Sequence, residues 1–363
     1  MKHLMVVVGT RPNFMKVTRL KEVARRHGGL SIQLVHTGQH ADDRMSTVFF
    51  DQFGLRPDRM LSVPEGTPAA RMGHLILALE PVMQEARPDA VMVVGDVDST
   101  LAAAIAANKL NLPLVHLESG LRSRDLGMPE EVNRILTDRM AGLLLTTEPS
   151  GAENLIAEGI SPERICMVGN TMIDTLVAFD DGIQGSDVLH RLGLRGSGHA
   201  LITMHRPGNV DEPAALARVV ELVCMVADRF PVVFPVHTRT ARQQQLHGLA
   251  ERLACKPDIT LCDPLGYFDF QKLVATSAVV ITDSGGIQEE TTFRGIPCLT
   301  LRPSTERPIT ITEGTNELIT FHLDELDRSL ERIMRDEFKK GKVPHLWDGH
   351  ATERAVEALM RWL

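Results

Sequence analysis

Short apolar runs recur at residues 4–8, 32–36, 90–94, 114–117, 143–146 and 165–168, and each is followed by a longer amphipathic stretch. The runs are apolar throughout rather than alternating, which marks strands buried on both faces, and the strand-then-helix rhythm implies a parallel sheet. A second series of runs, at 200–203, 232–236, 259–261, 278–281 and 297–301, repeats the pattern. Two doubly wound α/β domains are therefore predicted. The stretch 182–199, rich in Gly, Ser and Asp around a short apolar segment, reads as the boundary. The expected division is 1–180, 181–345 with a last helix over 323–338, and a terminal helix within 346–363 that packs back toward the N-terminal domain. Open α/β sheets bind ligands beyond the carboxyl ends of their strands, and two such sheets facing each other predict a cleft.

Bulk composition narrows the class. A chain of 363 residues exceeds the usual size of one core. With 39 Lys and Arg against 47 Asp and Glu, the net charge of −8 argues against a general nucleic-acid or anionic-membrane binder. An anionic ligand would need a local basic patch. The five cysteines form no close pairing motif, which suits a reduced cytoplasmic chain. No apolar run approaches the roughly 20 residues of a membrane helix, and residues 5–8 are too few for a signal-peptide core.

Candidate chemistry follows the strand ends. The run Thr282-Asp283-Ser284-Gly285-Gly286-Ile287-Gln288-Glu289-Glu290 leaves an apolar segment and opens a helix. Free backbone N–H groups and the positive dipole end there favour a phosphate or diphosphate, Ser284 can donate a hydroxyl, and Gly285 and Gly286 let the backbone come close. Glu290, further along that helix, could reach back toward a sugar hydroxyl. The same nine residues also describe an ordinary strand-to-helix turn capped by serine. Elsewhere, Arg11 and Lys16 follow the first run, and could bring positive charge to the cleft mouth. Asp96 and Glu118 leave the runs 90–94 and 114–117, and Met128-Pro129-Glu130-Glu131 adds acid at a helix start. Glu131 reads as a cap or dipole partner. Crowded acids raise one another's pKa and can both donate and accept protons. His205, beside Arg206 after the run 200–203, fits an anion contact, with His237 a weaker case.

Several classes lack their signatures. No G-x-G-x-x-G follows the first run, and there is no P-loop, zinc-like Cys/His spacing or G-x-S-x-G elbow. Acid–base chemistry remains.

The ordered motifs GTRPNFMK from Gly9, TGQH from Thr37, GDVDST from Gly95, HLESGLRS from His116, MPEEVNR from Met128, VGNTMID from Val168, MHRPGNVD from Met204, PVHTRT from Pro235, TDSGGIQEE from Thr282, TERP from Thr305 and GTN from Gly314 span essentially the whole chain. Together they resemble the non-hydrolysing UDP-N-acetylglucosamine 2-epimerases. The resemblance implies two Rossmann-like domains around a cleft, similar to GT-B glycosyltransferases, and inversion at carbon 2 of the sugar to give UDP-N-acetylmannosamine. UDP would be eliminated to leave 2-acetamidoglucal and then added back. Carried over by motif, Asp96, Glu118 and Glu130 would transfer protons, and His205 would contact the leaving diphosphate or the sugar. Arg11, Lys16, Arg134, His237 and Arg307 would serve binding, Ser284, Gly285 and Gly286 the diphosphate, and Glu290 the ribose. Phe270 would stack on uracil, although an apolar helix position explains it equally well. A homodimer, no metal and no cofactor are implied too. The alternatives are a hydrolysing 2-epimerase releasing N-acetylmannosamine and UDP, a GT-B glycosyltransferase, and a UDP-sugar sensor. Asn13, Asp98 and Ile309 depart from the usual pattern, and the loop after Arg122 is shorter, which bears on substrate detail more than reaction type. Gln39-His40-Ala41-Asp42-Asp43 lacks the usual polar residues after the histidine, which predicts weak or absent activation by a second UDP-N-acetylglucosamine.

Overall fold

The computed structural model describes residues 1–38, 50–194, 196, 198–236, 240–241, 253 and 256–363. The chain divides into two compact units, one formed by Met1–Ala178 with His345–Leu363 and the other by Phe179–Pro344. The 39–43 segment and His237 lie outside the described residues.

The first unit is built on a seven-stranded sheet. Its strands are β1 (Lys2–Val8), β2 (Leu30–His36), β3 (Arg59–Met60), β4 (Ala90–Val94), β5 (Leu114–Leu117), β6 (Leu143–Thr146) and β7 (Ile165–Met167), in the order β3-β2-β1-β4-β5-β6-β7. Every pairing is parallel. Strands such as β4, Ala-Val-Met-Val-Val, are buried at every position, as an uninterrupted apolar run between two helical layers must be. Alanines 102, 103, 104, 106 and 107 of helix Asp98–Lys109 are buried in one cluster with Met5, Val7, Val91 and Val93. Their small side chains let that helix lie close to the sheet.

The second unit has strands β8 (His199–Thr203), β9 (Val232–Pro235), β10 (Ile259–Cys262), β11 (Ser277–Thr282), β12 (Cys298–Leu301) and β13 (Asn316–Ile319), ordered β10-β9-β8-β11-β12-β13. Alternate residues feed opposite faces. Ala200, Ile202, Val279 and Ile281 enter one cluster, while Leu201, Val233 and Val280 enter the other. In both units the strand order reverses beside the first strand, at β1/β4 and at β8/β11. Such switch points leave a crevice at the carboxyl ends, where ligands of open α/β sheets bind.

Four elements depart from the sequence-based expectation. The stretch 182–199 is not a bare linker, because helices Asp180–Gln184 and Val188–Arg191 occupy part of it and bury Ile183 and Val188 within the second unit. The helix expected over 323–338 ends at Met334; Asp336 takes a positive φ of 56°, after which Phe338 turns into the core. The edge strands β3 and β13 have no counterpart among the apolar runs.

The terminal helix Ala351–Trp362 belongs to the first unit, docked by groups far away in sequence. Asp174 accepts the N–H groups of Ala351 and Thr352, buried Trp347 donates Nε1–H to the Thr147 carbonyl at 3.1 Å, and Arg354 donates to the Val168 carbonyl. Asp174 thus caps a helix it does not precede. Asp174→Ala is expected to lower unfolding free energy by about 1–2 kcal/mol and to speed hydrogen exchange at Ala351 and Thr352. Unchanged exchange there would show that the cap carries no weight.

Candidate active site

The first unit gathers polar groups at its switch point. Thr10 is the N-cap of helix Arg11–Met15, and Arg11 opens that helix exposed to solvent. Asn13, one of the departures from the family pattern, locks the turn: its Oδ1 accepts from the Thr10 hydroxyl at 3.0 Å and its Nδ2 donates to the Val94 carbonyl at 3.0 Å. One turn later Lys16, only 7% exposed, forms a buried ion pair with Glu118. Glu118 itself sits at φ +67°, a left-handed conformation that costs a non-glycine residue about 1–2 kcal/mol. Gly95, at φ +64°, lies against the pair; a Cβ there would meet Asn13 Nδ2 at 3.1 Å, Glu118 Oε2 at 3.3 Å and Lys16 Nζ at 3.5 Å. A side chain there would crowd the first two groups and would have to adopt a strained positive φ, so glycine suits the position.

Asp96, the next residue, pairs with buried Arg134, and Asn133 donates to the Asp96 carbonyl at 2.9 Å. Arg134 also holds Glu131 at 2.6 Å. Glu131 makes no capping hydrogen bond, although it lies in the first turn of its helix, where a dipole partner belongs. Its two oxygens accept the N–H groups of Ser123 (2.9 Å) and Arg124 (2.8 Å), pinning the loop before the helix, whereas Glu130 is exposed. Asp98, another departure, anchors Arg71 at 2.6 Å. Asp96 and Glu118 are thus each paired with a cation of their own unit, Arg134 and Lys16.

In the second unit the switch point is organised by a residue the sequence reading passed over. Asp283, fully buried at the end of β11, accepts from the backbone N–H of Arg206 at 2.9 Å, from Asn209 Nδ2 at 2.9 Å and from the backbone N–H of His205, and its Oδ1 lies 2.9 Å from His205 Nδ1. Burial alone would raise its pKa, but the His205 ring and the Arg206 and Asn209 donors hold it below the ordinary carboxylate value. His205 is thereby held by its Nδ1 edge. Arg206 Nε–H donates to the Asp283 carbonyl at 3.0 Å, which draws a guanidinium to the same turn. The only sequence signal for Asp283 was its place as the first polar residue after Thr282.

Ser284 occupies the N-cap of helix Gly285–Arg294, yet its side chain makes no capping hydrogen bond. The serine-cap explanation of this turn therefore fails. Arg307 packs over Gly285 so closely that a Cβ would lie 2.7 Å from its Nη1. Arg307 is buried and paired with Glu289 at 3.0 Å, and Glu306 holds Arg302 through contacts of 2.9 and 2.7 Å. His205, Arg206, Arg307 and the helix N-terminus thus surround one turn, an arrangement suited to an anion. Gly286 opens the first turn of the same helix. Glu290 is buried within that helix, and burial, reinforced by the Glu289 carboxylate, pushes its carboxyl up to about 7. Phe270 is half-buried and packs against the cluster of Leu201 and Leu273, the apolar-position alternative for it. Among the described residues the cysteines 166, 224, 262 and 298 are free, no group of three or more ligand-type side chains could hold a metal ion, and no helix is long and apolar enough to cross a membrane.

Two parallel doubly wound units, each with polar groups at its switch point, define an α/β protein of two Rossmann-like domains. A lipopolysaccharide outer core galactosyltransferase shares the architecture, with a TM-score of 0.56 over all of both chains at 14% identity, a likeness of fold alone. The family model described as UDP-N-acetylglucosamine 2-epimerase matches residues 22–360, and this chain belongs to that family. A UDP-2,3-diacetamido-2,3-dideoxy-D-glucuronate 2-epimerase of Pseudomonas aeruginosa is 38% identical over 87% of this chain and 88% of its own. The crystal structure of Methanocaldococcus jannaschii UDP-GlcNAc 2-epimerase in complex with UDP-GlcNAc and UDP is 31% identical and superimposes with a TM-score of 0.91 over 99% of both chains.

Glu290 generates a pH prediction. Its folded pKa of about 7 lies above the unfolded value of 4.5, so the native state holds the extra proton. The associated stability is complete below pH 4.5 and is lost as pH rises through about 7. The unfolding free energy of wild type relative to Glu290→Gln should fall by on the order of 3 kcal/mol across that window, read by denaturant titration. A flat difference would contradict the assigned shift.

Proposed function

We propose that this protein interconverts UDP-N-acetylglucosamine and UDP-N-acetylmannosamine by inversion at carbon 2, through elimination and re-addition of UDP. The observation that carries the reading is the division of labour at the two switch points: carboxylates beside cations in the first unit, an anion-suited turn with a carboxylate-held histidine in the second. The hydrogen on carbon 2 is not acidic, and its direct removal would be too slow. Elimination avoids this. A carboxylate takes the carbon 2 proton while the bond from carbon 1 to the diphosphate oxygen breaks with its electron pair, leaving 2-acetamidoglucal and UDP. Re-addition of UDP with delivery of a proton to the opposite face gives the epimer.

Asp96, Glu118 and Glu130 serve as proton-transfer groups, with Lys16 and Arg134 holding two of them in place. His205, its Nδ1 edge engaged by Asp283, offers Nε2 to the departing diphosphate, and Ser284, Gly285, Gly286 and Arg307 receive the negative charge that develops there. Arg11 contributes to phosphate binding and Glu290 to the ribose. The same reading makes the enzyme a cytoplasmic homodimer that needs no metal or redox cofactor.

In deuterated water, product formed from UDP-N-acetylglucosamine should carry deuterium at carbon 2; retention of the original hydrogen would exclude the mechanism. Free N-acetylmannosamine with stoichiometric UDP would instead indicate the hydrolysing reaction, and turnover only in the presence of an acceptor a glycosyltransferase. The similarity to the diacetamido-glucuronate epimerase favours a second reading of the sugar, with a 3-acetamido group and a carboxylate on the ring. An NMR time course on a panel of both UDP-sugars separates the two. Asp96→Asn and Glu118→Gln should each lower kcat by roughly two to four orders of magnitude with little change in UDP affinity by calorimetry. Full activity in either variant would remove that residue from the proton-transfer set.

A further inference from the structure

The imidazole of His116 takes no part in the chemistry above, yet it joins the two strand ends that carry Asp96 and Glu118. His116 lies on β5, two residues before Glu118, and is completely buried. Its Nε2 is 2.7 Å from the Gly95 carbonyl oxygen, and since a carbonyl can only accept, Nε2 carries the hydrogen. That carbonyl belongs to the peptide linking Gly95 to Asp96. The opposite ring edge meets Asp138, with Nδ1 2.6 Å from Oδ1. The other oxygen of Asp138 is 2.8 Å from Arg122 Nη1 and accepts the Gly120 N–H at 3.2 Å, just past Glu118. Arg122 in turn grips Glu158 through two contacts of 2.8 Å. The Gly95 N–H, in the preceding peptide, donates to the Leu117 carbonyl at 3.0 Å, so the peptides on both sides of Gly95 are tied to β5, the second of them through His116.

We propose that His116 is a positioning residue that fixes the Gly95–Asp96 peptide against the backbone around Glu118, and so sets the placement of the two proton-transfer carboxylates relative to each other. The physical need is plain. Gly95 is in a left-handed conformation at φ +64° and has no side chain of its own to stop the peptide from turning over. Glu118, also left-handed, sits where a Cβ on Gly95 would touch it. A rotation of that peptide would swing Asp96 away from Arg134 and relax the pocket holding Lys16 and Glu118. The Asp138 contact keeps the ring upright; the Gly95 contact transmits it to the site.

This inference rests on the epimerase reading, and two substitutions test it. The amide nitrogen of His116→Gln falls where Nε2 was and can still donate to the Gly95 carbonyl, whereas that of His116→Asn falls at the Nδ1 position and reaches only Asp138. His116→Gln should keep kcat within roughly threefold of wild type, while His116→Asn should lose about 100-fold, with KM and UDP affinity within about twofold in both. A ring acting only as core filler would make the two variants lose activity alike, in step with their thermal stability, and that result would overturn the proposal. Equal, undiminished activity in both would also overturn it. Should both fail to fold, Asp138→Ala removes the oxygen beside Nδ1 and leaves the ring free to turn; an unchanged kcat there would count against the proposal and a fall in kcat at constant KM for it. Wild-type enzyme that exchanges no carbon 2 hydrogen on any UDP-sugar would sink the epimerase reading and this inference together, whereas active wild type with matched variants sinks this inference alone.

Discussion

A buried ammonium–carboxylate pair, Lys16 with Glu118, is the constraint around which the first unit's site is arranged. Removing two charges from water is expensive, and their attraction offsets that cost only where geometry is fixed and remaining polar groups are satisfied. The surrounding residues meet those conditions. Asn13 closes the turn that launches Lys16, Gly95 leaves the space that any side chain would fill, and Glu118 accepts a strained backbone to bring its carboxylate to the ammonium. Strain of this kind persists where surrounding structure over-determines it. Asp96 repeats the theme one strand away, paired with Arg134 and braced through Asn133.

The second unit solves a related problem with one carboxylate. Asp283 gathers backbone donors from His205 and Arg206, a side-chain donor from Asn209 and the imidazole edge of His205. A buried carboxylate so supplied keeps its charge despite desolvation and gives the histidine a defined orientation. The neighbouring turn collects guanidinium groups without a continuous basic sequence, because Arg206 and Arg307 arrive from different strand ends, both near Glu306. A chain of net charge −8 can still concentrate basic side chains at one turn, because the relevant potential is local.

Much of the fold was legible in the chain because hydrophobic periodicity is a local property. Uninterrupted apolar runs marked the inner strands of both sheets, and the Ser-Gly-Gly turn announced a helix N-terminus. Edge strands β3 and β13 escaped because Arg-Met and Asn-Glu-Leu-Ile carry no such run. The adjacent pair Glu130 and Glu131 shows another limit. Consecutive helical side chains point about 100° apart, so one faces the interior and the other solvent, and sequence alone assigns neither. In the folded chain Glu131 holds the preceding loop and Arg134, while Glu130 stays exposed.

By itself, then, the sequence determined the strand and helix rhythm, the two-domain division in outline and the kinds of residue delivered to strand ends, because each depends on residues within a turn or two of one another. Only the tertiary structure decided which charges meet: Lys16 with Glu118 across 102 positions, His205 with Asp283 across 78, and the terminal helix with Asp174 across 177. Those partners are set by strand order, and strand order is fixed by the packing of whole layers, which no local stretch of chain contains.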